Sequence, residues 1–233
     1  MEKRTMENNT TKNINTAFSI FSVIENIILA IAELTGTKQK TITELSTNAT
    51  YTDNYKNQLI NEKSENINIS IREKLQEISK NLVFLREIIE QLTSNTEIFS
   101  DNAVISACNI VSRLDSNLDN ANIIKTLVKR FRGNFGALLL FYSLDNSEKD
   151  KQNLLQAILD TDKFDTLASD IEANIILLDS DLSDYNSVII GLNRIIKRMN
   201  EMSAYFGFDF TDSKIKELSE LSHDLELRKA LNI

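Results

Sequence analysis

Two acidic triplets are the residue pattern best suited to chemistry in this sequence. Their members are Asp160, Asp162 and Asp165, and Asp179, Asp181 and Asp184. Carboxylates at alternate positions are typical of a calcium loop, which also needs glycine at its sixth position and glutamate at its twelfth. In both triplets the sixth position is aspartate and the twelfth is isoleucine. We therefore predict that they belong to a solvated helical face and not to a metal site.

The sequence also gives little support for catalysis by a nucleophile or by an acid–base pair. His223 lies beside Asp224, but no nucleophile is arranged around them, so a surface histidine is the better interpretation. Cys108 falls on the inner stripe of its predicted helix, which favours buried apolar packing over a reactive thiol. We predict no enzyme activity, no cofactor and no metal site.

The composition narrows the fold class. The chain has 233 residues, with 26 Lys+Arg against 34 Asp+Glu and a net charge of −8. It contains no proline and only 5 glycines, too few turn residues for a sandwich or barrel. One cysteine and one histidine exclude a disulfide framework and a Cys/His zinc cluster. The acidic excess argues against a nucleic-acid partner, whose phosphates require a basic face.

Apolar periodicity predicts an all-α protein, an elongated helical bundle with a long C-terminal coiled-coil helix. Gly36 is expected to end the first helix, and residues 61–68 form a polar break. The predicted segments are a mobile polar leader (1–16), an N-terminal helical hairpin or long helix (17–60), a central helical bundle (69–144), the coiled-coil helix (147–203) and a C-terminal capping helix (204–233).

The strongest signal is a run of five heptads near the C-terminus, in which every core position is apolar. We call these ten residues the seam: Ala168, Ile171, Ile175, Leu178, Leu182, Tyr185, Ile189, Leu192, Ile196 and Met199. As one helix the seam would form a rod of about 50 Å, and we predict that it is an interface, within a bundle or between subunits. Four further apolar residues widen the stripe and imply more than one neighbour: Ile176, Leu177, Ile190 and Ile195.

The first apolar stretch, residues 17–34, resembles a membrane span in length. Glu25, Asn26 and Glu33 interrupt it, and a charge at the bilayer centre costs about 2.5–3.5 kcal/mol, so a buried helix is favoured. Contact with a membrane or a hydrophobic partner is the alternative. The residues that would make that contact are Phe18, Phe21, Ile24 and Ile28.

The organisation of the chain resembles the needle-tip and translocation-filament proteins of bacterial type III secretion systems. The matching features are the polar Asn/Thr-rich leader Met1–Thr16, the apolar helix Phe18–Leu34 and the heptad helix Leu154–Met202. The resemblance implies secretion without a cleaved signal peptide, a dedicated chaperone, and assembly through coiled-coil packing, including with copies of itself. The added segment Tyr205–Ile233 departs from the filament pattern.

Two other functions remain open. One is a cytoplasmic helical adaptor or scaffold that binds protein partners through the same helix faces. The other is a pore-forming component, in which residues 17–34 enter a bilayer.

Overall fold

A computed structural model describes residues 3–93, 102–114, 120–132, 134–158, 161–208 and 213–231. These residues form nine α-helices and contain no strand, which confirms the predicted all-α class. The helices are α1 (Lys3–Thr47), α2 (Asp53–Thr93), α3 (Asn102–Val111), α4 (Ala121–Arg130), α5 (Phe135–Leu144), α6 (Glu148–Ala157), α7 (Thr161–Ser180), α8 (Tyr185–Ala204) and α9 (Ser213–Leu231).

The chain divides into two compact units. Unit 1 comprises Met1–Ile20, Phe84–Leu167 and Glu201–Asp209. Unit 2 comprises Phe21–Val83, Ala168–Asn200 and Phe210–Ile233.

The core of unit 1 is built by four short helices, in which α5 packs against α3 and α6, and α6 also packs against α4. Local capping fixes where two of them begin. The Asn134 side chain accepts a hydrogen bond from the Ala137 amide, and Ser147 accepts one from the Asp150 amide. The buried core residues are Val104, Ala107, Val111, Ile124, Leu127, Phe131, Ala137, Leu138, Phe141, Leu154 and Ile158.

The core of unit 2 is built by longer amphipathic helices. On α1, Phe21, Ile24, Ile28 and Ile31 are fully buried. On α2, apolar residues recur at spacings of four and three and are buried, as expected for a stripe that faces neighbouring helices. They are Ile71, Leu75, Ile78 and Leu82. Ion pairs join α7 to α2 and α8: Arg72 Nε lies 3.0 Å from Asp179 Oδ1, and Arg198 Nε lies 3.2 Å from Asp170 Oδ2.

The predicted boundaries in the first third of the chain are wrong. Helix α1 begins at Lys3, within the segment predicted to be a mobile leader, and it passes through Gly36 to Thr47. Threonine side chains beside Gly36 bond within the helix: the Thr35 hydroxyl donates to the Ile31 carbonyl, and the Thr37 hydroxyl to the Glu33 carbonyl. These polar residues are compatible with a continuous helix, because each hydroxyl donates to a carbonyl of the preceding turn of α1.

The predicted break at residues 61–68 is also absent, since α2 continues through it. Its polar residues are mostly on the exposed side of the helix, while Ile67 and Asn68 are half-buried. Amphipathic packing of one face is enough to stabilise a helix whose other face is polar.

The single long helix predicted at 147–203 is in fact three helices, α6, α7 and α8. The break between α7 and α8 has a local cause: Asp184 Oδ2 accepts a hydrogen bond from the Ser187 amide at 2.9 Å, which makes Asp184 the N-cap of α8. Helix α8 ends at Ala204, next to the predicted end of this region at residue 203, and α9 lies within the predicted capping segment.

Gly207 ends α8 because its backbone adopts a φ of +82°. The Gly207 amide donates to the Ala204 carbonyl at 3.1 Å, and the Phe208 amide donates to the Ser203 carbonyl at 3.2 Å. This pair of bonds is the Schellman arrangement, in which glycine takes the left-handed position.

Candidate functional site

The seam lies in the core of unit 2. Nine of its ten residues are buried within the single chain, and Tyr185 is half-buried. The α8 backbone approaches α7 so closely that a Cβ on Gly191 would lie 2.9 Å from Leu178 Cδ1. Burial therefore matches packing within the chain, one of the two alternatives that the heptad pattern left open.

The α7–α8 turn is held by a buried lysine that the sequence did not single out. Lys38, on α1, is only 6% exposed. Its Nζ donates to the Leu182 carbonyl and, at 2.9 Å, to Asn68 Oδ1 on α2. A cation beside the C-terminus of α7 also compensates the negative end of its dipole. Through these two bonds Lys38 ties the α7–α8 turn, which contains Leu182, to α1 and α2.

Burial lowers the pKa of Lys38 from its ordinary value of 10.5, and nearby Arg72 lowers it further. Glu65 and Asp181 act in the opposite direction. Desolvation has the largest effect because it penalises the charged form of the amine. The contacts of the amine are hydrogen bonds to a backbone carbonyl and to an amide oxygen, which position the turn relative to α1 and α2.

From residue 169 to 180, one side of α7 is exposed and uncharged. Ile176 is 69% exposed and Leu177 is 60% exposed, the highest values among the large hydrophobic residues that the structure describes. Ser169, Ala173 and Ser180 are also exposed. Because an α-helix turns by about 100° per residue, these five residues fall within an arc of about 100°. We call this surface the α7 face.

Acidic residues border the α7 face on both edges. By the same helical period, Glu172 and Asp179 lie along one edge and Asp170 along the other. From Ala168 to Asp184 the chain has five acidic residues and no basic one. Asp170 is ion-paired with Arg198 and Asp179 with Arg72, so the site is an apolar strip with charged margins, which suits binding of another helix.

The four apolar residues that widened the stripe divide into two pairs. Ile190 is 8% exposed and Ile195 is fully buried, both on α8. Ile176 and Leu177 on α7 are instead the exposed pair described above. The sequence pattern treats all four residues alike. The packing of the chain covers Ile190 and Ile195 and leaves Ile176 and Leu177 exposed.

The residues proposed for membrane contact are mostly covered by the chain. Phe21, Ile24 and Ile28 are fully buried, and the half-buried Phe18 has its ring centroid 5.9 Å from that of Phe208. Within the described residues, the stretch Lys12–Thr47 of α1 is long and apolar enough to cross a membrane, by length and composition only. The buried core helix of a soluble protein has the same properties.

The residues considered for chemistry are dispersed. His223 is exposed on α9, and Cys108 on α3 is half-buried, with desolvation raising the pKa of its thiol. Asp160 lies outside the described residues, and the other five members of the triplets are exposed. The part of the chain that the structure describes contains no group of three His, Cys, Asp or Glu side chains arranged to hold a metal ion.

Comparison with known proteins gives no relative: no family model, no curated protein and no solved structure matches the chain significantly. The resemblance to type III secretion proteins therefore stays a prediction from the organisation of the sequence.

Proposed function

We propose that this protein is a non-enzymatic interaction protein that binds another protein through the α7 face. The observation that carries the proposal is the pair Ile176 and Leu177, which is apolar, adjacent and largely exposed on one regular helix. Covering a large aliphatic side chain contributes about 1.5–3 kcal/mol, so two such residues give a partner helix substantial binding energy. The seam does not take this role, because the chain already covers it.

The finer form of the proposal is a secreted component of a type III secretion tip or filament. The resemblance behind this form depended on a mobile leader and on one long heptad helix. In the structure the leader segment is helical from Lys3, and the heptad region is divided into three helices. What still supports it is the apolar first helix. A cytoplasmic adaptor or scaffold that uses the same face is the alternative.

Site-specific photo-crosslinking in the native cells tests the proposal. A crosslinking amino acid replaces Leu177, and a matched one replaces Ile105 on α3, which is 44% exposed. We expect a discrete adduct from position 177 and none of the same mass from position 105. The partner, once identified and purified, is expected to bind the wild-type chain and to lose binding to Ile176→Asp with Leu177→Asp.

The matched control variant is Ile105→Asp with Ile110→Asp, which adds the same charge to exposed positions of α3. It should bind the partner normally. Absence of an adduct at 177, or equal adducts at both positions, would contradict the proposal. Recovery of the adduct from the culture medium favours the secreted form, and recovery from the cytoplasm favours the adaptor.

A pore-forming role is the second candidate, because Lys12–Thr47 satisfies the length and composition of a membrane span. Its test is leakage from liposomes across lipid compositions and pH. Leakage caused by the wild-type chain alone, in the absence of any protein partner, would favour it. No leakage under any condition removes it.

A further inference from the structure

We infer that α9 is a displaceable cover of unit 2, a helix that opens as one body from its apolar docking surface while the rest of the unit stays folded. The inference does not depend on the α7 face. Three observations on α9 carry it: few apolar side chains hold the helix in place, a small polar residue lies within its buried stripe, and two of its leucines are exposed.

The buried stripe of α9 is short. The helix belongs to unit 2, and among its described side chains the buried large apolar residues are Ile215 and Leu218, at 2% and 6% exposure. Burial of an apolar face supplies most of the free energy that holds a helix in a protein, so α9 is held more weakly than α8. Within unit 2, α8 buries seven apolar residues: Val188, Ile189, Ile190, Leu192, Ile195, Ile196 and Met199.

Ser222 occupies the position at which a third large apolar residue would extend this stripe. It follows Leu218 by four residues and Ile215 by seven, so the three side chains lie on one side of the helix. Ser222 is fully buried, and its Oγ has no hydrogen-bond partner within the part of the chain that the structure describes. A buried hydroxyl without a partner costs free energy in the docked helix and regains hydration when the helix opens.

Two leucines of α9 are left largely in solvent. Leu221 is 39% exposed and Leu227 is 47% exposed. Leu221 directly precedes Ser222, so the docked helix buries the hydroxyl and leaves its more apolar neighbour partly uncovered. Docking therefore uses only part of the apolar surface that α9 carries, which keeps the free energy of opening low.

These properties predict a local opening of α9. Segments with few buried apolar residues open at a lower free energy than the whole domain unfolds. Opening uncovers Ile215, Leu218 and the side chains of unit 2 against which they pack. The chain thus contains an apolar surface that is closed while α9 is docked and accessible when it opens, which is the property of a conformational switch.

Native-state hydrogen exchange of the full chain, in urea below the unfolding transition, tests the inference. Opening as one body predicts that the amides of residues 216–226 share one opening constant. We expect this constant to be at least about a hundredfold larger than that of residues 188–199 in α8. Ser222→Ala should reduce the opening constant of α9 by about tenfold, because it removes the buried hydroxyl, and should leave α8 unchanged.

Ser219→Ala is the matched control. Ser219 lies one turn earlier on the same helix and is half-buried. Both replacements gain the same helix propensity, which reduces the opening constant by about twofold, and only Ser222→Ala also removes the fully buried hydroxyl. Trypsin gives a second readout, since cleavage after Lys216 requires opening of α9. Ser222→Ala should slow this cleavage by the same factor as it slows exchange.

Three results would overturn the inference. Exchange of α9 with the opening constant of α8 would show that α9 belongs to the cooperative core. Exchange that only increases toward the C-terminal end, without a shared constant, would show fraying of the helix end. Equal effects of Ser222→Ala and Ser219→Ala would show that the buried hydroxyl does not set the free energy of opening. All three results leave binding at the α7 face unaffected.

Discussion

At the scale of single residues, Lys38 is the residue whose role depends most on its surroundings. It is buried beside the α7–α8 turn, and its Nζ donates to the Leu182 backbone carbonyl in the turn that follows α7. A buried amine costs desolvation energy but leaves two acceptors satisfied. Removal of the amine would leave both acceptors buried without a donor, which carries a desolvation penalty.

We expect Lys38→Met to lower the free energy of unfolding at neutral pH by about 1–3 kcal/mol, because the Leu182 carbonyl and Asn68 Oδ1 lose their donor. Urea titration measures the change. Lys40→Met is the control, since the Lys40 side chain is 77% exposed, and it should be nearly neutral. A neutral effect of Lys38→Met would contradict the role assigned to the lysine.

The lowered pKa of Lys38 also predicts how the free energy of unfolding changes with pH. Because the pKa is lowered in the folded state, the unfolded chain binds more protons at this site between the lowered pKa and 10.5. The unfolding free energy of the wild type should therefore rise relative to Lys38→Met as the pH increases through that window. A difference that falls with rising pH would show that the folded state instead favours the charged amine.

At Gly191 the lack of a side chain allows α8 to pack closely against α7. Replacement by alanine gains about 1 kcal/mol of helix propensity, but its Cβ would lie 2.9 Å from Leu178 Cδ1. Overpacking typically costs about 1–3 kcal/mol, so we expect Gly191→Ala to destabilise slightly. In a Leu178→Ala background the same change should stabilise, and urea unfolding of the four proteins measures this reversal of sign.

At the scale of elements, two glycines have opposite consequences because they occupy different backbone conformations. Gly207, at φ +82°, ends α8, whereas Gly36 lies within α1 with no atom within 4 Å of an added Cβ. Glycine is needed at the first position and is a cost at the second.

Gly207→Ala should therefore destabilise by about 1–2 kcal/mol through left-handed strain, with Gly207→Asn less harmful. Gly36→Ala should stabilise by up to about 1 kcal/mol, because alanine is the better helix former. Thermal unfolding followed by circular dichroism measures both. The same sign for both alanine variants would contradict the assigned conformations.

At the scale of the whole molecule, apolar residues of the α7–α8 region serve two different purposes. Leu182 and Ile189 are core residues of the seam, while Ile176 and Leu177 lie on the uncovered face. If the seam joined subunits, Leu182→Asp with Ile189→Asp would dissociate an oligomer. Their burial within the chain changes that expectation.

Leu182→Asp with Ile189→Asp should now unfold α7 and α8. Losing two buried aliphatic side chains forfeits about 3–6 kcal/mol before the carboxylates are desolvated, against a total stability of about 5–15 kcal/mol. Ile176→Asp with Leu177→Asp adds the same charge and should keep native helicity. Hydrogen exchange across 168–200 distinguishes the two; equal protection in both variants would show that the seam is not core.

The sequence by itself determined the all-α class and the apolar stripes of α1, α2 and α7–α8, because these depend on residues only a few positions apart. Its periodicity predicted ten seam residues, nine of which are buried. It did not place the breaks at Ile158 and Asp184, since a heptad register can continue across a capped turn.

Only the tertiary structure decided which apolar residues are covered and which are left for a partner. Ile190 and Ile176 are alike in sequence pattern, and their exposures differ because one faces helices of the same chain and the other does not. The bond from Lys38 to the Leu182 carbonyl joins residues 144 positions apart. Contacts of that range depend on how distant helices pack, which local propensity and periodicity do not specify.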